Sequence, residues 1–215
     1  MLVLGIETSG LRCSVALFRE KTIITEYNTE VTNLHAEILG NLVDNALKRN
    51  NLRPGSTDMI AVASGPGSFT GLRIGMAYAK GFAYALKIPI IPVTNFEVLA
   101  YHAGAHFFPA DIFIDARMKR FYHARFNYPH SRPEMIQFID DTQIREIKKD
   151  SKQFIVQKQT QHEFLKNPEL KDICIIAADY SAGVICELAV DKYENGIREN
   201  LANLEPLYLQ KFAGV

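Results

Sequence analysis

The residues best placed to do chemistry lie in one segment, Ser64-Gly65-Pro66-Gly67-Ser68-Phe69-Thr70-Gly71-Leu72-Arg73-Ile74-Gly75, between an apolar run and a long apolar stretch of helical character. Glycines in such a turn permit positive φ and close backbone approach, and the start of the helix offers unpaired N–H groups to an anion. The chemistry this suggests is nucleotide or phosphate binding by Gly65, Gly67 and Ser68, with Thr8 and Ser9 joining from the end of the first strand. The match to known phosphate loops fails in detail. No Gly-Lys-Ser/Thr follows, and Gly65-x-Gly67-x-x-x-Gly71 is one residue off the dinucleotide fingerprint. A tight turn that seats the helix against a sheet explains the glycines equally well.

Other polar groups offer less. Glu7 and Asp115 are candidate cleft acids, and whether they order a magnesium–nucleotide complex is left open. His102 and His106 stand four apart, the spacing that puts two imidazoles on one helical face, but no Glu follows the first and Gly104 lies between them. They read as helix-end residues, and His35, His123, His130 and His162 show no ligand spacing. No metal site is expected. Ser9, Ser64 and Ser68 have no His-Asp companions visible in the sequence, so a serine hydrolase is not indicated. Arg117, Lys119, Arg120 and Arg125, interleaved with Phe121, Tyr122 and Phe126, resemble an RNA-binding surface. Strand alternation sends neighbouring side chains to opposite faces, so a solvated hairpin turn is the simpler expectation.

The elements that must position these groups belong to a chain of 215 residues with 24 Lys+Arg and 24 Asp+Glu, net charge zero. A neutral chain is a poor nucleic-acid binder by itself, because phosphate affinity comes mainly from uncompensated cations. Apolar residues make up 47% and charged ones 22%, which excludes intrinsic disorder. The three cysteines, Cys13, Cys174 and Cys186, are scattered and odd in number, arguing against a disulfide framework or a structural zinc site. No basic leader precedes Glu7, and the most apolar stretch, 82–93, is broken by Lys87, Pro89 and Pro92. The expectation is a soluble cytoplasmic protein without a membrane span.

Periodicity predicts strands at 2–7, 13–18 and 21–27, a helix at 34–48 capped by Asn33, a strand at 59–63, a helix at 71–86, a strand at 90–93 and a helix at 96–105. The second half predicts strands at 112–115, 121–126 and 135–139, a helix at 142–149, a strand at 154–156, a helix at 161–166, a strand at 173–177 and a helix at 181–193. The fold class is therefore α/β, with βββαβαβα written twice. Those are two tandem ribonuclease-H-like units, the actin/sugar-kinase-like (ASKHA) architecture. The expected division is 1–106 and a smaller 107–215, the last helix and tail being free to pack back on the first domain.

Gly71, Gly75, Ala79 and Ala83 recur every four residues in the 71–86 helix, a small-residue stripe that lets another backbone approach. That helix is apolar nearly all round, with only Arg73 and Lys80 charged inside it, so it must be buried on two sides. The 34–48 helix is the intramolecular neighbour. The sharper expectation is a partner or dimer interface formed by Leu39, Leu42, Val43, Ala46, Gly71, Arg73, Gly75, Met76, Ala79, Lys80 and Ala83. On that reading Ala79→Glu or Ala83→Arg abolishes association while the isolated fold survives.

Ile6-Glu7-Thr8-Ser9, Gly65 to Gly75, Pro92-Val93-Thr94 leading to Glu97 and Ala100, Ile114-Asp115-Ala116-Arg117 and Pro206-Leu207-Tyr208-Leu209-Gln210 together resemble the TsaB (YeaZ) family, in order and at the right spacing. The resemblance implies a non-catalytic scaffold or activator subunit, not an enzyme in itself. It would bind a TsaD-like transferase, with a TsaE-like ATPase, in forming threonylcarbamoyl on N6 of the adenosine beside the anticodon of tRNAs that read codons beginning with A. It also implies a homodimer when alone, contact with tRNA only through the partners, no membrane, and no cofactor of its own. ATP or ADP is left open as a weak ligand or one held at the complex interface. TsaD-like chains share the Ile-Glu-Thr-Ser start but carry a metal-binding His-x-x-x-His pair after the Pro-x-x-x-Val strand. Aligned on Pro89 to Val93, those positions here hold Asn95 and Leu99, and neither serves a transition metal. The alternatives are a stand-alone ATPase or phosphotransferase of the same superfamily, or a homodimeric interaction module.

Overall fold

The computed structural model describes residues 1–30, 34–128, 131 and 133–209, and for Ala105 the backbone only. The expected helix cap Asn33, together with His130 and Gln210, lies outside the described residues.

Leu2–Glu7 (β1), Arg12–Arg19 (β2) and Thr22–Glu30 (β3) form an antiparallel meander. After helix His35–Arg49 (α1), the strand Met59–Gly65 (β4) pairs parallel to β1. Helix Phe69–Leu86 (α2) then leads to Ile90–Thr94 (β5), parallel to β4, and to helix Asn95–Ala103 (α3). The second half repeats this with Ala110–Asp115 (β6), Arg120–Phe126 (β7), Ile136–Asp140 (β8), Ile144–Lys149 (α4), Gln153–Gln157 (β9), Gln161–Lys166 (α5), Cys174–Ala178 (β10) and Ala182–Glu194 (α6). The strand orders, β3-β2-β1-β4-β5 and β10-β9-β6-β7-β8, are the same topology twice. The tandem ribonuclease-H-like, actin-like architecture is thus present in both halves.

The units divide differently from the expected break between 106 and 107. One is Met1–Asn95 with Tyr180–Leu207, and the other is built on Phe96–Asp179. The reason is visible along β1, every residue of which is buried. Leu2, Leu4 and Ile6 face Leu39, Val43, Ala46, Met76, Ala79 and Ala83 of α1 and α2 in one core. The opposite face needs a cover, and α6 supplies it. At Gly5 a Cβ would sit 2.4 Å from the Ala182 carbonyl oxygen and 2.5 Å from Cys186 Sγ, so only glycine admits that helix.

Polar contacts pin the start of α6. Ser181 Oγ accepts from Val184 N (3.2 Å) and donates to Glu26 Oε1 of β3 (2.8 Å), which also accepts from Gly183 N (3.1 Å). A carboxylate at a helix N-terminus meets the unpaired N–H groups and the positive end of the dipole. The following segment stays on the same unit. Leu204 is buried in its core, Lys80 Nζ donates to the Leu204 carbonyl (3.0 Å), and Leu207 N donates to the Ser64 carbonyl (2.7 Å).

The second unit is centred on an aromatic cluster. Phe113 lies 4.7 Å from Phe154 and 5.4 Å from Phe164 between ring centroids, with Phe121, Ile139, Ile144 and Leu170 around them. Among the described residues no helix is long and apolar enough to cross a membrane.

Candidate functional site

The glycine loop and the end of β1 form one hydrogen-bonded body. Ser68 Oγ caps α2 by accepting from Gly71 N (3.2 Å), and Ser68 N donates to the Ser9 carbonyl (2.8 Å). Thr8 Oγ1 donates to the Gly71 carbonyl (2.7 Å). Ser9 Oγ donates to Glu7 Oε1 (2.5 Å), which also accepts from Ser9 N (2.6 Å). Asn95 Nδ2, at the start of α3, donates to Ser9 Oγ (2.6 Å) and to the Pro66 carbonyl (2.7 Å). Gly65 has φ 102 and is followed by a cis peptide to Pro66.

Glycine is required here by contact as well as by φ. A Cβ on Gly71 would lie 2.0 Å from the Thr8 carbonyl oxygen, and one on Gly75 would lie 2.3 Å from Thr8 Oγ1. The backbone that the small-residue stripe admits is therefore the chain's own β1 end.

Two expectations change accordingly. Thr8 and Ser9, expected as nucleotide contacts, are buried with both hydroxyls engaged inside the chain, and Gly65 is buried too. Only Ser68 is exposed and Gly67 partly so. Of the expected interface set, Leu39, Val43, Ala46, Gly71, Gly75, Met76, Ala79 and Ala83 are buried within the first unit, where they pack against its own sheet. Leu42 is half-buried at the rim of that core. Arg73 lays its guanidinium over the Phe69 ring (3.7 Å), and Lys80 holds the Leu204 carbonyl. The surface α1 and α2 turn outward consists instead of half-buried Ile38, Leu42, Ile74, Tyr78 and Phe82 beside exposed Ala77, Gly81 and Tyr84. Tyr84 is 77% exposed.

Glu7 carries the electrostatic interest of this body. Burial pushes its carboxyl up from 4.5 to about 7, against the opposing hydrogen bonds from Ser9 and the Gly10 amide and the nearby Arg12 charge. A carboxyl raised in the folded state ionises first in the unfolded chain, so its contribution is full below about pH 4.5 and is lost as pH rises to about 7. The expected loss is about 3 kcal/mol at most between pH 4.5 and 8. Urea titrations of the wild type and Glu7→Gln at pH 5 and 8 check this. The stability difference between the two proteins should move in favour of the variant at pH 8.

Asn95 and Leu99 are wholly buried, and Asn95 is a structural hydrogen-bond donor. His102 and His106 are exposed, and Gly104 with φ 75 ends the helix between them, so the two imidazoles do not share a helical face. Asp115 Oδ1 accepts from Arg117 N (2.7 Å) in the β6–β7 turn. Arg117, Lys119 and Arg120 are exposed, whereas Phe121 is core and Arg125 reaches the Asp111 carboxylate (3.6 Å). Sequence reasoning missed the buried pair His123 Nε2–Asp111 Oδ1 (2.7 Å) beneath the Phe113 ring. The available signal was strand alternation, which puts 111 and 113 on one sheet face with 121, 123 and 125.

The profile of the family described as "TsaD: tRNA N6-adenosine threonylcarbamoyltransferase" matches residues 23–141, more than half of the chain. The chain belongs to that family. A Bacillus subtilis relative named tRNA threonylcarbamoyladenosine biosynthesis protein TsaB is 38% identical over 138 residues, 63% of this chain and 59% of the relative. A Prosthecochloris aestuarii tRNA N6-adenosine threonylcarbamoyltransferase is 32% identical over 117 residues, 48% of this chain and 34% of that protein. The chain thus spans little more than half the length of the TsaB relative. A solved Pseudomonas aeruginosa structure, described as an uncharacterized protein with similarity to peptidase YEAZ, superposes with TM-score 0.81 over 97% of this chain and 99% of that one. At 23% identity it is a likeness of fold. TsaB is thus the name carried by relatives matching 57–63% of this chain, and YeaZ the name carried by structures that share its fold.

Proposed function

We propose that this chain is an accessory, non-catalytic subunit in the formation of threonylcarbamoyladenosine in tRNA, acting by binding a TsaD-like transferase that works with a TsaE-like ATPase. The observation that carries the reading is the pair Asn95 and Leu99. At the positions where the transferase-type chains hold metal-binding histidines, both side chains are wholly buried, and Asn95 ties Ser9 to Pro66. A side chain fixed this way supports packing and leaves metal chemistry to a partner.

The outward face of α1 and α2 is the surface proposed for that partner. Half-buried Ile38, Ile74, Tyr78 and Phe82 flank the small, exposed Ala77 and Gly81, which let a second helix approach closely. Alone, the same face would pair two copies of the chain. Binding there activates the partner only to the extent that it favours the competent state over the idle one.

Size-exclusion chromatography with light scattering tests the reading, on the protein alone and mixed with the TsaD-like protein of the same cell. A species at the summed mass that replaces any homodimer is the expected result. Absence of a mixed species at roughly micromolar concentration, where specific subunit contacts persist, would sink the proposal.

A further inference from the structure

The β6–β7 turn has features that neither the fold nor the α1–α2 face uses. Arg117, Met118 and Lys119 all adopt left-handed backbone, with φ of 65, 54 and 57. Three successive non-glycine residues in that region are unfavourable for L-amino acids and persist only where the surroundings hold them. Here they are held. Arg117 N donates to Asp115 Oδ1 (2.7 Å), Ala116 N to the Arg120 carbonyl (2.9 Å) and Arg120 N to the Arg117 carbonyl (3.1 Å). Asp115 N is anchored to Gln157 Oε1 of β9 (2.7 Å). Met118 at the apex is 87% exposed.

The charges around that apex are one-sided. Arg117, Lys119 and Arg120 are all exposed. The one carboxylate inside the turn, Asp115, directs Oδ1 to a backbone N–H, and Arg120 sits across the ladder from Asp140. Among the described residues neither Arg117 nor Lys119 has an acidic partner. Arg125, on the same strand, is drawn away to Asp111 and to the Asp150 carbonyl (3.0 Å). A fixed turn thus presents two uncompensated cations on either side of a projecting apolar side chain.

We propose that this turn is a nucleic-acid contact, in which Arg117 and Lys119 meet phosphates of structured RNA and Met118 packs on a sugar or base face. Guanidinium geometry suits bidentate phosphate contact, and an apolar side chain between cations suits the alternation of charged backbone and apolar base along a strand. The proposal deepens the tRNA reading above and rests on it for the choice of RNA. It also makes the chain a direct tRNA contact rather than an indirect one.

Fluorescence anisotropy of a labelled, unmodified tRNA transcript titrated with the full chain, at about 50 and 200 mM salt, is the test. The double variant R117A/K119A should weaken binding about fivefold or more at low salt and reduce the salt slope by about 1 to 2, because each lost phosphate contact removes roughly 0.7 to 0.9. Met118→Ala should weaken binding without changing that slope. K166A/K171A, with equal charge loss at exposed positions, should bind as the wild type does.

Equal affinity of R117A/K119A and wild type overturns the proposal, as does an equal loss in the K166A/K171A control. So does failure of the wild-type chain to bind tRNA up to about 100 µM. Loss of transferase association by R117A/K119A with tRNA affinity intact makes the turn a protein contact, and overturns it as well. Failure of the wild type to form any complex with the transferase speaks against the accessory-subunit reading alone, since the anisotropy is read on this chain by itself.

Discussion

Ala77→Glu is expected to leave the fold intact and abolish the mixed species with a TsaD-like partner, whereas Ala79→Glu, two residues along the same helix, is expected to unfold the protein. Ala79 is fully buried in the core that α1 and α2 form with β1 and β2. A carboxylate there would be placed among the apolar side chains of that core. Burying it unpaired costs on the order of 4 kcal/mol or more, a large share of the roughly 5–15 kcal/mol that holds a domain together. Ala77 is exposed, where substitutions change stability by about 0.5 kcal/mol or less. On the proposed docking face the same glutamate leaves a charge inside an apolar contact and should weaken association at least about tenfold. Urea denaturation followed by circular dichroism reads the first effect, and light scattering of the mixture reads the second. A stably folded Ala79→Glu would overturn the inward placement of the stripe. An Ala77→Glu protein that still joins the transferase would remove the proposed face. The contrast also replaces the sequence-based design: Ala83 is 1% exposed, so Ala83→Arg is a fold variant and not an interface variant.

Gly71→Ala is expected to cost about 3 kcal/mol, near the upper end for overpacking, although alanine is the better helix former. The added methyl would stand 2.0 Å from the Thr8 carbonyl oxygen, and that oxygen belongs to backbone at the end of a central strand. It has no rotamer to swing aside. α2 would have to move off β1, breaking the Thr8 Oγ1–Gly71 carbonyl bond and disturbing the Ser68 cap. Gly81→Ala, in the same helix, has nothing within 4 Å of the new methyl and should stabilise by about 1 kcal/mol through helix propensity. Opposite shifts in the urea midpoint of the two variants are the expected result. A neutral Gly71→Ala would mean that the loop is not seated on β1 as described.

The order of elements was legible from the residues because its signals are local. The short apolar run of 2–7 and the 3.6-residue recurrence in 34–48 are set by neighbours within a few residues. The helix ends were less legible. α2 begins at Phe69 because Ser68 turns its hydroxyl onto Gly71 N, while glycines suggested a start at 71. It stops at Lys87, which takes the left-handed conformation (φ 57) more often left to glycine. The hairpin cations were legible only in part. Three of them are exposed, but Arg125 is tied to Asp111 across the ladder, a pairing set by register.

By itself the sequence determined the doubled βββαβαβα order, Asn and Leu rather than histidine at positions 95 and 99, and the family whose model the chain matches. Tertiary structure alone decided which way α2 faces, because both of its stripes, Gly71-Gly75-Ala79-Ala83 and Ala77-Gly81-Ala85, are small and spaced by four. It also decided where α6 meets the first sheet, with Ala182 against Gly5, and that the Thr8 and Ser9 hydroxyls are engaged rather than available. Each of these outcomes depends on atoms 63 to 168 residues away along the chain, at Gly71, Asn95 and Ala182. Local periodicity specifies an element and its apolar side. The choice between two equivalent sides falls to whichever neighbour approaches closest, and here that neighbour is the backbone of the chain's own first strand.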